Sequence, residues 1–180
     1  MTVGAIAPSG RALAQVVTST VPRSGHPVVV ELGPGSGAFT GVIQERLGGR
    51  GRHIAVEVNQ EFARRLAFSH PSVDVVGTDA RHIRKVLAER HIAAADVIVS
   101  GLPWAAFAAK DQDDVLDGVR TTLPPHGVFT TFAYVHARWA PPARRLLGTL
   151  RSGFEEVVIG RTVWSNLPPA LVYHCRRPMV

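Results

Sequence analysis

A chain of 180 residues with 46% hydrophobic content is the size of one domain with a full core, which excludes a disordered chain and points to one site on one fold. Its single cysteine, Cys175, excludes an internal disulfide, and its eight scattered histidines offer no zinc-ligand spacing, so no metal is expected. The net charge of +6 is unevenly placed: Met1 to Val30 and Gly118 to Phe154 hold no acidic residue, and the second stretch carries Arg120, Arg138, Arg144, Arg145 and Arg151. Such segments make either an arginine-rich solvated surface or one that attracts the phosphates of RNA or of an anionic membrane.

In chain order, Ser9 is placed to cap a helix whose apolar Leu13, Val16 and Val17 fall on one face at helical spacing. Strand-like and helix-like segments then alternate. "PVVVEL", "RHIAVE", "VDVV", "DVIVS", "GVFTTFAYV", "GFEEVVIGRTVW" and "ALVYHC" read as strands. Phe39 to Leu47, Gln60 to Phe68, Arg81 to Glu89 and Lys110 to Thr121 read as helices between the first five. Only "SNLPP" separates the last two strands, too little for a crossover helix, so they are expected to pair antiparallel. Residues 1–180 are therefore expected to form one α/β domain: an open, mostly parallel seven-stranded sheet with helices on both faces and a C-terminal antiparallel hairpin. In such sheets the ligand sits beyond the carboxyl ends of the strands.

Those strand ends carry the informative residues. The first strand runs into "ELGPGSGAF", where Gly33, Gly35 and Gly37 permit a tight turn and close backbone approach to a ligand before a helix begins. Gly33, Gly35 and Ala38 also satisfy the dinucleotide pattern, but Pro34 removes a backbone N–H from the phosphate cradle and Glu31 would repel a pyrophosphate. A carboxylate there suits a ligand with cationic groups, such as the sulfonium and α-ammonium of S-adenosylmethionine. The second strand ends at Glu57, about 20 residues on, where an acid accepts ribose hydroxyls or is simply solvated. The third leads into "VVGTDAR", where Asp79 either caps the following helix or accepts from an adenine amino group. Three features in the correct order after three successive strands favour the cofactor reading.

The set "ELGPGSG", "VEVN", "GTDA" and a strand followed by "GLPW" resembles the class I S-adenosylmethionine-dependent methyltransferases, with a Rossmann-like fold. Within them the chain is similar to the bacterial phospholipid (phosphatidylethanolamine) N-methyltransferases, relatives of the ribosomal RNA adenine dimethyltransferases. "GAIAPSGRAL", "SGLPW" and "VWSNLPPALVY" look like the phospholipid branch. The resemblance implies that Glu31, Gly33, Gly35, Gly37, Glu57, Val58, Asp79, Ala80 and Ser100 hold the cofactor. It implies that Gly101, Leu102, Pro103 and Trp104 border the acceptor, and that residues 1–25 form a helical segment covering the site. In the RNA enzymes the matching turn usually begins with Asn, which grips a planar amino group; here that position is Gly101. The ring is retained as Trp104, whose face attracts the cations formed by methylating an aliphatic amine, unless it only packs against the sheet.

Methyl transfer needs a neutral amine, while an alkylammonium has a pKa near that of lysine, about 10.4. Tyr134 and His136, after the fifth strand, are the candidates to help remove the proton, and with Trp104 they form the expected catalytic set. The expected activity is N-methylation of a phospholipid ethanolamine head group, the alternatives being an rRNA adenine N6 or a small-molecule amine. The chain stops after the final hairpin, without the helical domain with which RNA dimethyltransferases grip RNA, although the arginine segment could still contact RNA. It begins almost at the first matching residue, so either it is a trimmed form or membrane docking depends on "ARWAPPARRLLGTLR", with Trp139 at the interface. No leader pattern and no apolar run near the roughly 20 residues of a membrane span are present. A cytoplasmic location is expected, with peripheral contact at the inner membrane face.

Overall fold

The fold grows from short apolar, largely β-branched runs, most of whose side chains are buried on both faces, the composition of a parallel sheet sandwiched by helices. The computed structural model describes residues 10–179. The chain order is α1 (Arg11–Val17), β1 (Val28–Leu32), α2 (Ala38–Leu47), β2 (Arg52–Val56), α3 (Gln60–Ser69), β3 (Asp74–Val76), α4 (Ile83–Ala88), β4 (Val97–Ser100), α5 (Ala109–Thr122), β5 (Val128–Tyr134), α6 (Pro141–Gly153), β6 (Phe154–Ile159) and β7 (Ala170–Pro178). The seven strands lie in the order β3-β2-β1-β4-β5-β7-β6. The first five are parallel, and β7 runs antiparallel to both β5 and β6.

Register decides which side chains meet. Val30 lies beside Ile54 and Ile98, and with Leu32, Val56 and Phe129 these residues face α4, α5 and α6 through Ile83, Leu87, Val115, Leu116, Leu146 and Leu150. The other face, carrying Val29, Val97 and Val99, packs on Leu13 and Val17 of α1 and Phe39, Val42 and Ile43 of α2. Beneath α3, Ala55 of β2 packs with Leu66. Burial on this scale is the main stabilising term, at roughly 25 cal/mol per Å² of apolar surface. Local signals agree with it: Asn59 caps α3 by accepting from the backbone N–H groups of Glu61 and Phe62, and α2 ends at Gly48 in the left-handed conformation.

Several boundaries differ from expectation. Helix α6, not anticipated at all, has Pro141 at its start and buries Ala143, Leu146, Leu150 and Gly153. Its arginines do not form an unbroken cationic face, because Asp113 of α5 pairs with Arg145 at 2.5 Å; Arg120 of α5 is likewise tied to Asp117 at 3.2 Å. The segment expected at Arg81 to Glu89 is a 3-10 turn at Ala80–His82 followed by α4. Strand β6 stops at Ile159, and Val163 makes only an isolated bridge to Ala170. Ser9 and most of "GAIAPSGRAL" lie outside the described residues; Gly10 stands at the N-cap of α1 and donates no side-chain cap. Leu13 and Val17 are buried as expected, Val16 only partly, and α1 packs on α2, β5 and β7.

Among the described residues no helix is long and apolar enough to cross a membrane, and no cluster of His, Cys, Asp or Glu is placed to hold a metal ion. Cys175 is wholly buried in β7, and burial pushes its thiol up to about 12. A thiol reagent at pH 8 is therefore expected to leave the native protein unlabelled and to react at once after denaturation; rapid stoichiometric labelling of the native chain would contradict this packing.

Candidate active site

The carboxyl ends of β1, β2, β4 and β5 lie side by side at one edge, and their loops build the site. After β1 the chain turns through Gly33, Pro34 and Gly35, with the Gly37 N–H donating to the Pro34 carbonyl at 2.9 Å. After β4 comes Gly101, whose N–H donates to the Leu32 carbonyl at 2.8 Å. The two turns touch through glycines. A Cβ on Gly101 would stand 2.7 Å from the Gly33 carbonyl oxygen, and one on Gly33, at φ +68°, would stand 2.7 Å from Leu102 Cδ2. Packing thus leaves no room for a side chain at position 101. At Gly35, by contrast, φ is +54° and nothing lies within 4 Å of a Cβ: the loop opens there to a ligand.

A cavity of about 600 Å³ lies between these loops and the end of β5, a volume usual for small-molecule sites. Of the sequence-expected residues it gathers Gly33, Gly35, Gly101, Leu102, Pro103, Trp104, Tyr134 and His136, and it adds Phe39 and Phe132, which were not anticipated. Among the described residues Tyr134 and His136 are its only titratable side chains. Their rings stack at 5.8 Å, and Tyr134 meets Phe132 edge-on at 5.5 Å. Burial raises the Tyr134 phenol above its ordinary value, so it stays protonated through the neutral range. Trp104 builds the wall rather than standing free in the cavity. It is 3% exposed, its Nε1–H donates to Thr131 Oγ1 at 2.7 Å, and its carbonyl accepts from Gln112 Nε2 at 2.8 Å.

The remaining expected residues lie off this cavity. Glu57 is 6% exposed and ties two turns together, accepting from the Gly35 N–H at 2.9 Å and the Asn59 N–H at 2.8 Å. Each of its oxygens keeps a second lone pair for a ribose hydroxyl. Val58 is exposed beside it, and Ala80 is buried in the core. Asp79 performs the capping role, accepting from the Arg81 N–H at 2.8 Å, and it is paired with the Arg81 guanidinium. That guanidinium holds its carboxyl below the usual range. Ser100 is buried, its hydroxyl 3.3 Å from the Leu102 N–H. Gly37 is the left-handed N-cap of α2. Glu31 is wholly buried, and its Oε1 has no partner. A buried carboxyl oxygen without a partner at the head of the glycine loop, with open space beside Gly35, fits a ligand that brings a cationic donor to this turn.

The two loops flanking the mouth carry exposed apolar groups. The β5–α6 turn, contributing His136 and Ala137 to the cavity, presents Trp139 at 73% exposure; the β6–β7 loop, contributing Pro168, presents Trp164 at 71% and Leu167 at 80%. The Val135 N–H donates to the Pro169 carbonyl at 2.8 Å, holding the loops together. The Arg138 guanidinium lies 4.5 Å over the Trp139 ring.

No family model matches the chain. It is 34% identical to the ornithine lipid N-methyltransferase of Singulisphaera acidiphila, covering 97% of this chain and 88% of that protein. The ribosomal RNA small subunit methyltransferase A of a Polaromonas species is 38% identical, but over only 53% of this chain and 27% of the relative. Among solved structures, the N-methyltransferase NodS of Bradyrhizobium japonicum superposes with a TM-score of 0.69 at 17% identity, covering 94% of this chain and 96% of that one. The fold is therefore Rossmann-like, and the cofactor is S-adenosylmethionine. With its glycine turn, its apolar cavity and near-complete coverage by a lipid-modifying relative, the chain belongs to the class I S-adenosylmethionine-dependent methyltransferases, in the family of that lipid N-methyltransferase.

Proposed function

We propose that the chain methylates the terminal amine of a membrane lipid head group, an ornithine lipid in preference to phosphatidylethanolamine. S-adenosylmethionine supplies the methyl group as an electrophile on sulfur. The observation that carries the reading is the aromatic and aliphatic cavity with exposed Trp139, Trp164 and Leu167 on the loops at its mouth. An ammonium entering such a space loses hydration, which favours the neutral amine with a free lone pair. The rings of Phe39, Phe132 and Tyr134 then favour the methylated cations, by roughly 0.5–2 kcal/mol for a well-placed ring.

The position of the anion separates the two lipids. Among the described residues no Lys or Arg lines the cavity. The phosphate of phosphatidylethanolamine sits two carbons from its nitrogen and would be drawn into cation-free space. In an ornithine lipid three methylenes separate the amine from the carbon bearing the carboxylate. That anion can stay at the mouth, on the side of Arg138 and Arg144, and the relative's name supports the same order.

His136 is proposed to accept the ammonium proton, since the Tyr134 phenol stays protonated, with Trp104 as the supporting wall. Gly101, Leu102 and Pro103 are proposed to border the acceptor. Glu31, Gly33, Gly35, Gly37, Glu57, Val58, Asp79, Ala80 and Ser100 are proposed to border the cofactor. Docking is proposed on an anionic membrane, at the inner face of the cytoplasmic membrane. There the two exposed tryptophans and Leu167 would enter the interface, and Arg138, Arg144 and Arg161, outside every ion pair among the described residues, would meet lipid anions.

With labelled S-adenosylmethionine, label is expected in ornithine lipid vesicles, less in phosphatidylethanolamine vesicles, and none in ribosomal RNA. Label confined to RNA, or to soluble amines, would overturn the lipid reading. Replacing His136 with Asn is expected to lower kcat at neutral pH by roughly 10²-fold or more and to narrow the loss at high pH, where the amine deprotonates unaided; an unchanged pH–rate profile would remove His136 from the chemistry. The double variant Trp139→Ala/Trp164→Ala should weaken sedimentation with anionic vesicles by at least about tenfold while keeping S-adenosylhomocysteine affinity. Unaltered sedimentation would place docking elsewhere.

A further inference from the structure

Beneath the glycine turn lies a chain of polar side chains that the reaction has not yet been asked to use. Glu31, wholly buried on β1, accepts from Thr40 Oγ1 at 2.8 Å and lies 3.1 Å from His53 Nε2, both through its Oε2. The other ring nitrogen, His53 Nδ1, lies 2.9 Å from Gln44 Nε2, and Gln44 Oε1 accepts from Ser72 Oγ at 2.7 Å. With its carbonyl engaged by Ser72, Gln44 presents an N–H to Nδ1, so Nδ1 is the acceptor and the proton of the neutral ring sits on Nε2. That tautomer donates to Glu31. The opposite one would set a lone pair against a carboxylate.

The result is a lopsided carboxylate. Oε2 receives two donors, and Oε1 receives none although it is buried; among the described residues it is the one buried carboxylate oxygen without a partner. Native proteins leave few such groups, and one that persists marks a place for something absent from the protein itself. Thr40 stands in the first turn of α2, whose amide dipoles favour a negative charge. The pattern fixes the rotation of Glu31 and leaves one oxygen for a cationic donor.

We propose that His53, locked in one tautomer by Gln44, is a positioning residue that holds Glu31 so that Oε1 receives the α-ammonium of S-adenosylmethionine, directly or through one water. This rests on S-adenosylmethionine as methyl donor and is independent of which amine is methylated. His53 touches neither the donor nor the acceptor in this account; it acts through Glu31.

Calorimetry with two ligands tests it. S-adenosylhomocysteine carries the α-ammonium; 5′-methylthioadenosine keeps the adenosine and the thioether but lacks the amino acid. His53→Ala is expected to weaken S-adenosylhomocysteine by roughly ten- to hundredfold and to change 5′-methylthioadenosine by less than about twofold. His53→Gln, whose amide can donate to Glu31 and accept from Gln44, should recover most of the loss. Gln44→Leu, farther from the core, should give a smaller loss of the same selectivity and serves if His53→Ala fails to fold. Equal weakening of both ligands, or of neither, would overturn the proposal. Glu31→Gln separates the premises: if it spares S-adenosylhomocysteine, Glu31 does not meet the ammonium, whereas if it acts and the His53 and Gln44 variants do not, only the positioning role falls.

Discussion

The contact on which the site depends is the one between the turns after β1 and β4. The Gly101 N–H reaches the Leu32 carbonyl at 2.8 Å, and the Gly33 carbonyl comes so near Gly101 that no side chain fits there. Adjacent parallel strands make this approach available, and two glycines make it close. Its consequence is that the loop proposed to hold the donor forms one wall of the cavity proposed for the acceptor. Pre-positioning of this kind is a large contribution that a protein can make to a displacement between two bound partners.

The two sides of that contact are electrostatically unlike. On the β1–β2 side are buried carboxylates: Glu31 held by Thr40 and His53, and Glu57 held by the backbone of Gly35 and Asn59. On the β4–β5 side the walls are rings and aliphatic groups, with no carboxylate, Lys or Arg among the described residues. A cationic cofactor is thereby favoured on one side, and on the other an amine is favoured in its uncharged, nucleophilic form. The apolar lining that discourages the ammonium is continuous with loops that expose Trp139, Trp164 and Leu167, the apolar surface on which the proposed delivery of a head group from a bilayer rests.

Much of this was legible in the sequence. The β-branched runs gave the strands, the short "SNLPP" connection gave the antiparallel hairpin, and the spacing of the glycine turn, Glu57 and Asp79 placed three consecutive strand ends. Helix α6 was hidden because its arginines drew attention to charge, although Ala143, Leu146, Leu150 and Gly153 repeat at helical spacing behind Pro141. Phe39 and Phe132 could not be placed because each belongs to a regular element whose register only the fold reveals. The link between Glu31 and His53 was equally invisible. It arises because β1 and β2 pair Val29 with His53 and Glu31 with Ala55, setting residues distant in sequence on one face beneath α2. Gly101 was read as a lost contact, and the fold adds that it is also a packing requirement.

The central claim is that the donor loop and the aromatic cavity form one continuous site. The most direct test is a crystal structure of the protein with S-adenosylhomocysteine. The account requires its sulfur to emerge beside Gly35 into the cavity bounded by Trp104 and Tyr134, with the ribose at Glu57 and the ammonium at Glu31. A ligand bound with its sulfur turned away from that cavity, or an adenosyl group seated where the amine is expected, would contradict it.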